Sequence, residues 1–117
     1  MKEGSFAYDG LDRVLHERAR LSILTALSTT EQGRSFADLK RLCELTDGNL
    51  NRHLKVLDEA TFVRITKRGE GRSSETRVHL TSPGRSAFVA YLEELERVLR
   101  DARGVEPDSE SGRTALA

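Results

Sequence analysis

The chain has 117 residues, 37% of them hydrophobic, and its 19 basic side chains balance its 19 acidic ones. A chain of this length fits one small domain, and the balanced charge argues against a nonspecific polyanion binder. It has no apolar run near the ~18 residues of a transmembrane helix, and residues 1–6 lack the apolar stretch of a secretory signal, so we expect a cytoplasmic protein with no membrane partner.

Helical periodicity begins after a short N-terminal segment. Residues 1–10 have no clear period, and we expect them to be flexible. Apolar residues then recur from Leu11 to Leu27 with helical spacing. This pattern predicts a first helix over about residues 11–28, with a break allowed near His16.

The second helix is predicted from its capping pattern. Gly33 closes a polar connection, and one or two extended residues follow it. Ser35 and Asp38 fit the arrangement in which a hydroxyl caps a helix and an acidic residue lies three positions later. Apolar residues at helical spacing then provide this helix with a buried face.

The third helix, predicted over about residues 46–60, has two contrasting faces. Leu50, Leu54 and Leu57 recur at i, i+4 and i+7, so they form one narrow apolar stripe. Thr46 or the residue after it can cap the helix. The opposite face carries side chains that can hydrogen-bond base edges or phosphates. They are Asp47, Asn49, Asn51, Arg52 and Lys55.

The hydrophobic period changes from 3.6 to 2 after the third helix. Val63 alternates with polar neighbours, and Val78 does so in a second run, which predicts a β-hairpin over residues 62–80. Residues 61–79 carry five basic side chains against two acidic ones, so the hairpin is locally basic. The basic residues are Arg64, Lys67, Arg68, Arg72 and Arg77.

A fourth helix is predicted over about residues 81–100, starting at the hydroxyl of Thr81 with Pro83 in its first turn. Its apolar stripe is longer than one small domain needs, so we expect the excess to pair with a second copy of the chain. The expected dimer-interface residues are Phe88, Tyr91, Leu92, Leu95, Val98 and Leu99. The polar residues 101–117 are expected to be disordered.

Cysteine and histidine usage argues against a metal site or a cofactor. Cys43 is the only cysteine, so it forms no internal disulfide, and we interpret it as a small buried hydrophobe, with a redox-sensing thiol as the alternative. The three histidines, His16, His53 and His79, are dispersed and do not have the spacing of metal ligands.

The predicted fold class is α+β, mainly α. Three helices followed by a two-stranded β wing form a winged helix-turn-helix, here over residues 11–100 with the fourth helix at its end. The chain resembles the bacterial winged-helix transcriptional regulators of the ArsR and MarR groups. The residues that carry the resemblance are 16–24, 36–40, 45–57, Val63 and 80–85.

The resemblance implies a homodimeric, nucleoid-associated repressor that binds double-stranded DNA, with helix 46–60 in the major groove and the wing along the flanking groove. By position, Asn49, Asn51, Arg52, His53 and Lys55 match the DNA-facing residues of the recognition helix, to which we add Thr46 and Asp47. At the tip of the wing, the matching residues are Arg68, Arg72 and Ser73. We expect phosphate contacts from Arg52 and Lys55 and from all five basic residues of the wing, namely Arg64, Lys67, Arg68, Arg72 and Arg77.

One residue departs from the family pattern. Members usually have glycine between the third helix and the first wing strand, where this chain has Thr61. The residue that ends a helix is often left-handed, which a β-branched side chain resists. Either the turn differs here or Thr61 is strained.

Three other functions remain open at the level of the sequence. A winged-helix module that binds protein would need an apolar outer face on the third helix. A regulator that responds to a small molecule would need a pocket at the dimer interface, and the sequence specifies no effector. An enzyme is the weakest alternative, because the chain has no recognisable nucleophile–base pair or phosphate loop.

Overall fold

The structure, a computed structural model, describes residues 6–104; residues 1–5 and 105–117 and the side chain of Ser73 lie outside the description. None of the helices in the described part is long and apolar enough to cross a membrane. The elements are α1 (Arg18–Ser28), β1 (Arg34–Ser35), α2 (Phe36–Cys43), α3 (Asp47–Glu59), β2 (Val63–Arg68), a 3₁₀ turn (Gly71–Ser73), β3 (Glu75–Leu80) and α4 (Ser82–Arg103).

Three of the four helices begin at the hydroxyl predicted to cap them. Ser35 accepts a hydrogen bond from the backbone N–H of Asp38, Thr46 from that of Asn49, and Thr81 from that of Gly84. Each of these caps stabilises its helix by about 1 kcal/mol relative to alanine. Since the caps fix where α2, α3 and α4 start, they also fix which residues face the core.

The first helix is shorter than predicted. The allowed break near His16 is real, and α1 starts only at Arg18, where the Glu17 carboxylate accepts the backbone N–H of Arg20 at 3.1 Å. The preceding residues form a turn in which the backbone N–H groups of Leu15 and His16 donate to the Asp12 carbonyl. Leu15 is nevertheless fully buried, which explains why its position fitted the apolar pattern.

Part of the N-terminal segment that was expected to be flexible contacts α4. The Tyr8 hydroxyl donates to the Asp101 carboxylate at 2.8 Å, and the backbone N–H of Gly10 donates to Glu94 at 2.9 Å. The Arg97 guanidinium lies 4.8 Å from the centre of the Tyr8 ring and pairs with Glu94 at 2.8 Å. These contacts are polar, so hydrophobic periodicity gave no sign of them. Asp101 lies within α4, and the rest of the expected tail falls largely outside the described residues.

The three strands form one antiparallel sheet in the order β1-β3-β2. The predicted hairpin pairs Val63 with Leu80 at its base and Arg68 with Glu75 near its tip, and β1 adds a short third strand. The sheet and the helices enclose one hydrophobic core. Its buried members are Leu15, Ile23, Leu24, Leu27, Leu39, Leu50, Leu54, Leu57, Val63, Val78, Phe88 and Tyr91.

The turn between α3 and β2 is strained at Thr61, which has a left-handed φ of 66°. The start of α4 packs tightly on this turn. Thr81 donates its hydroxyl to the Thr61 carbonyl and its backbone N–H to the Phe62 carbonyl. A Cβ on Gly84 would lie only 2.1 Å from the Phe62 carbonyl oxygen, so the turn has no room to relax. Of the two alternatives for this residue, strain is therefore the correct one.

Replacing Thr61 by glycine should stabilise the fold. Glycine adopts a positive φ without the steric cost of a β-branched side chain, and the relief exceeds the extra entropy of the unfolded chain by about 0.5–1 kcal/mol. For a domain of this size we expect Tm to rise by about 2–6 °C in a thermal melt. Ala60→Gly is the matched control, because Ala60 has an ordinary φ of −82° and should not gain stability. A Thr61→Gly melt at or below the wild-type Tm would contradict the assignment of strain.

Candidate nucleic-acid interface

The two faces of α3 divide as the sequence predicts, with one exception. Leu50, Leu54 and Leu57 are buried in the core. Arg52 and Lys55 lie at the centre of the exposed face. The other predicted polar residues of this helix, apart from His53, are exposed as well. They are Thr46, Asp47, Asn49 and Asn51.

The prediction that His53 faces DNA is wrong. Its side chain is only 4% exposed and lies among the leucines of the apolar stripe. At i+3 from Leu50 and i−4 from Leu57, position 53 belongs to the inward face of the helix, so the ring faces α1 instead of solvent.

His53 is held by two charged residues near the start of α1. The Arg20 guanidinium lies 3.5 Å from Nδ1 of His53, and the Glu17 carboxylate lies 3.9 Å from the same nitrogen. Arg20 is itself fixed by a 2.6 Å hydrogen bond from Nε to the Val14 carbonyl. Burial lowers the pKa of His53; Glu17 opposes this shift, while Arg52 and Arg20 add to it. A lowered pKa favours the neutral ring, and in the tautomer with its proton on Nε2 the Nδ1 atom can accept from Arg20.

Two of the predicted DNA-binding residues organise the helix-turn-helix itself. The Thr46 hydroxyl is the N-cap of α3, where it accepts the Asn49 N–H at 3.2 Å. Asp47 forms an ion pair with Lys40 of α2 at 2.9 Å. Both residues are exposed, so the pair adds little stability, but it neutralises a carboxylate that would otherwise repel phosphates.

The side chain of Arg52 is oriented by a contact within the protomer. Its guanidinium donates to the side-chain oxygen of Asn49 at 3.2 Å, one turn earlier on the exposed face. This contact uses the acceptor that Asn49 would need in order to read adenine with both of its polar atoms. Asn51 is exposed beside this pair and is the better candidate for that role.

The basic residues of the wing lie on two faces. Arg64 and Arg68 lie on the same face of β2, and the register places His79 and Glu75 beside them on β3. Lys67 is on the opposite face and Arg72 is at the tip, both of them exposed. Partial burial lowers the pKa of His79, and the charges of Arg64, Arg77 and Arg68 lower it further, which marks this face of the wing as electropositive.

Arg77 has a structural role that the sequence did not reveal. Its guanidinium donates to Glu75 at 3.0 Å and to the backbone carbonyls of Gln32 and Gly33 at 3.1 and 3.2 Å. It therefore attaches the wing to the loop before β1, and these bonds occupy donors that a phosphate would need. Ser73 was also predicted at the wing tip, and its side chain lies outside the described residues.

The predicted dimer interface must also be corrected. Phe88 and Tyr91 are 5% and 1% exposed, so the core of the same protomer covers them. The Tyr91 hydroxyl is hydrogen-bonded to Nδ1 of His16. Leu92 and Leu99 are exposed, whereas Leu95 and Val98 are half-buried. Val89, at i−3 from Leu92, is equally exposed and was missed because it lies at the edge of the helical stripe.

The histidine, cysteine and acidic side chains of the described residues are dispersed. Residues 6–104 hold no group of three or more histidine, cysteine or acidic side chains that could bind a metal ion. Burial raises the pKa of the Cys43 thiol, although Arg34 opposes the shift, and the thiol is half-buried. A raised thiol pKa favours the packing role predicted for this residue over the redox alternative.

A family model described as a winged helix DNA-binding domain matches residues 19–99, which contain the helix-turn-helix, the wing and most of α4. The chain belongs to this family. This protein is therefore a DNA-binding transcriptional regulator and not an enzyme. The resemblance noted from the sequence is thereby confirmed.

Individual proteins resemble the chain over most of its length. An uncharacterised protein of Methanocaldococcus jannaschii is 36% identical over 83 residues, which are 71% of this chain and 89% of that protein. The structure of a transcriptional regulator homologue from Pyrococcus horikoshii superposes with a TM-score of 0.72 at 25% identity, over 78% of this chain and 89% of that one. The M. tuberculosis regulator MosR, solved with DNA, shares the fold with a TM-score of 0.60 at 22% identity, over 94% of this chain and 79% of its own.

The buried histidine makes stability depend on pH. The folded-state pKa of His53 lies below its unfolded value of about 6.5, so the unfolded chain binds more protons between these two values. The resulting stability is present above pH ~6.5 and decreases as the pH falls below it. His79 acts in the same direction. We expect Tm to fall between pH 7.5 and 5.5.

Histidine variants test whether these two rings cause the change of Tm with pH. His53→Gln should reduce the change in Tm across that range, and the double variant with His79→Gln should remove most of it. A wild-type Tm that is constant over the range, or a slope that the double variant retains, would show that these rings do not control it.

Proposed function

We propose that the protein is a sequence-specific repressor, which binds a palindromic operator as a homodimer with α3 in the major groove. The exposed face of α3 carries this proposal, because Arg52 stands oriented by Asn49 in the middle of a polar surface. The DNA complex of the fold-related regulator MosR supports the same use of the fold. A regulator acting on chromosomal DNA would be found at the nucleoid.

Base reading is assigned to Arg52 and Asn51. A guanidinium can donate two hydrogen bonds to O6 and N7 of guanine, and a side-chain amide can pair with N6 and N7 of adenine. Each such pair contributes about 1–3 kcal/mol of discrimination against a wrong base. Asn49 supports Arg52 instead of reading a base itself.

Phosphate contacts are assigned to the remaining basic residues, with Arg77 left out. If four of them neutralise phosphates in each protomer, a dimer neutralises eight, and log K falls with a slope of about −7 against log salt. The residues proposed for this role are Lys55, Arg64, Lys67, Arg68 and Arg72.

The dimer forms through α4 in this proposal. Val89, Leu92 and Leu99 are 47%, 42% and 46% exposed, and together they form a second apolar line beside the buried stripe. Phe6 is 65% exposed, and its ring lies beside that of Tyr8, which is hydrogen-bonded to Asp101 of α4. Two copies related by a twofold axis would present their recognition helices about 34 Å apart, one turn of DNA.

Removing Arg52 and Arg72 should abolish specific binding. Operators would first be enriched from sheared genomic DNA by the wild-type protein and then used in fluorescence-anisotropy titrations. We expect Arg52→Ala/Arg72→Ala to raise Kd by at least about 30-fold, because one base contact and one phosphate contact per protomer are lost. The salt slope should become less steep by about two units, because the dimer loses two phosphate contacts, one from Arg72 in each protomer, while Arg52 contacts a base.

The matched control removes the same charge far from α3. Arg100→Ala/Arg103→Ala takes two exposed arginines from the end of α4 and should leave Kd near the wild-type value. Equal losses in both double variants would mean that net charge, and not the proposed interface, determines binding.

The assembly state can be tested with an aspartate on α4. Leu92→Asp should shift the mass measured by light scattering at micromolar concentration from two chains to one, because a buried unpaired carboxylate costs several kcal/mol. Leu42→Asp is the control, since Leu42 has nearly the same exposure, 43%, but lies on α2. A wild-type protein that is already monomeric would exclude the proposed dimer.

A further inference from the structure

Most glycines in the described part of the chain have a structural reason to be glycine. Gly33, Gly69 and Gly71 have φ values of 78°, 78° and 57°, a conformation that other residues rarely adopt. At two more positions a side chain would meet close neighbours. A Cβ on Gly84 would clash with a backbone carbonyl oxygen, and one on Gly10 would lie 3.0 Å from the Glu94 carboxyl carbon, so the Glu94 side chain would have to shift.

Gly48 has neither reason. It lies within α3 with ordinary helical backbone angles, and a Cβ built on it would meet no protein atom within 4 Å. Glycine in a helix is less stable than alanine by about 0.5–1 kcal/mol. The fold would therefore be more stable with alanine here, and nothing within the protomer accounts for the glycine.

The position of Gly48 indicates what accounts for it. Gly48, Arg52 and Lys55 follow one another at i, i+4 and i+7, so they lie on one line along the exposed face of α3. This line is opposite the buried leucines, so in the proposed complex it is the part of the helix that faces the duplex. In helix-turn-helix proteins, the first residues of the recognition helix contact base edges.

We propose that Gly48 is a close-approach point, where the bare Cα lets the first turn of α3 reach the base edges of the major groove. The inference rests on the proposed function, because it needs α3 to lie in that groove. A methyl group would extend about 1.5 Å toward the DNA. The hydrogen bonds of Arg52 tolerate only a few tenths of an ångström, so even one carbon would weaken base reading.

The test is a substitution that changes stability and affinity in opposite directions. We expect Gly48→Ala to raise Tm by about 2–5 °C, since it adds helix propensity without a clash. We also expect it to raise Kd for the enriched operator at least tenfold, while binding to unrelated DNA changes much less. Gly48→Leu should weaken operator binding further, because the larger side chain holds the helix farther from the bases.

Gly104→Ala is the matched control. Gly104 also has a helical φ, −67°, and a Cβ there would make only ordinary contacts, at 3.4 Å, at the end of α4. It should leave operator affinity unchanged. A Gly48→Ala protein that binds the operator as tightly as wild type would overturn the inference while the proposed function stood. A wild-type protein that enriched no DNA would overturn both.

Discussion

Burial of one face of α3 is the constraint on which the rest of the structure depends. Leu50, Leu54 and Leu57 enter the core, and this fixes the rotation of the helix about its own axis. Each fully buried leucine contributes about 1.5–3 kcal/mol, so rotating the helix would forfeit most of the stability of a domain this small. The side chains presented outward are therefore determined by the side chains buried inward.

A polar contact refines this orientation. Because His53 is enclosed and neutral, Arg20 can donate to it, and Glu17 completes the cluster while also capping α1. The His53 ring restricts the rotation of α3 more than the leucines alone would, because its Nδ1 must meet the Arg20 guanidinium at a defined place. The cluster ties the recognition helix to the start of α1.

Predictions from the sequence succeeded where the cause was local. Helix caps at Ser35, Thr46 and Thr81 act over three residues, and the leucine stripe of α3 spans two turns, so both can be recognised in a short window. The cost of the strain at Thr61 could be recognised locally as well, since it follows from a β-branched side chain in a left-handed backbone conformation, although contacts from α4 hold the turn there.

Predictions failed where a polar residue has a partner far away in the chain. Arg77 was taken for a DNA contact because it belongs to the locally basic hairpin, yet besides Glu75 its partners are carbonyls 44 and 45 residues earlier. Residues 6–10 were expected to be flexible because their contacts are far away in the chain. Gly10, for example, donates to Glu94, which lies 84 residues later. His53 was misplaced because its DNA-facing role was carried over from the family resemblance, although its spacing from Leu50 and Leu57 already puts it on the inward face of the helix.

Thr61 and Gly48 represent two different departures from maximum stability. The Thr81 hydroxyl donates to the Thr61 carbonyl, and Gly84 packs against the carbonyl of Phe62, so the start of α4 fixes the turn from outside. The strain at Thr61 therefore results from the backbone path that leads into the wing. Gly48 is not constrained by any neighbour in the described protomer. A protein need only exceed the stability that its function requires, so a weaker helix can persist if it serves another purpose. Since Gly48 lies on the same exposed line as Arg52 and has no such constraint within the protomer, the reason for a glycine here is the partner that α3 binds in the proposed complex.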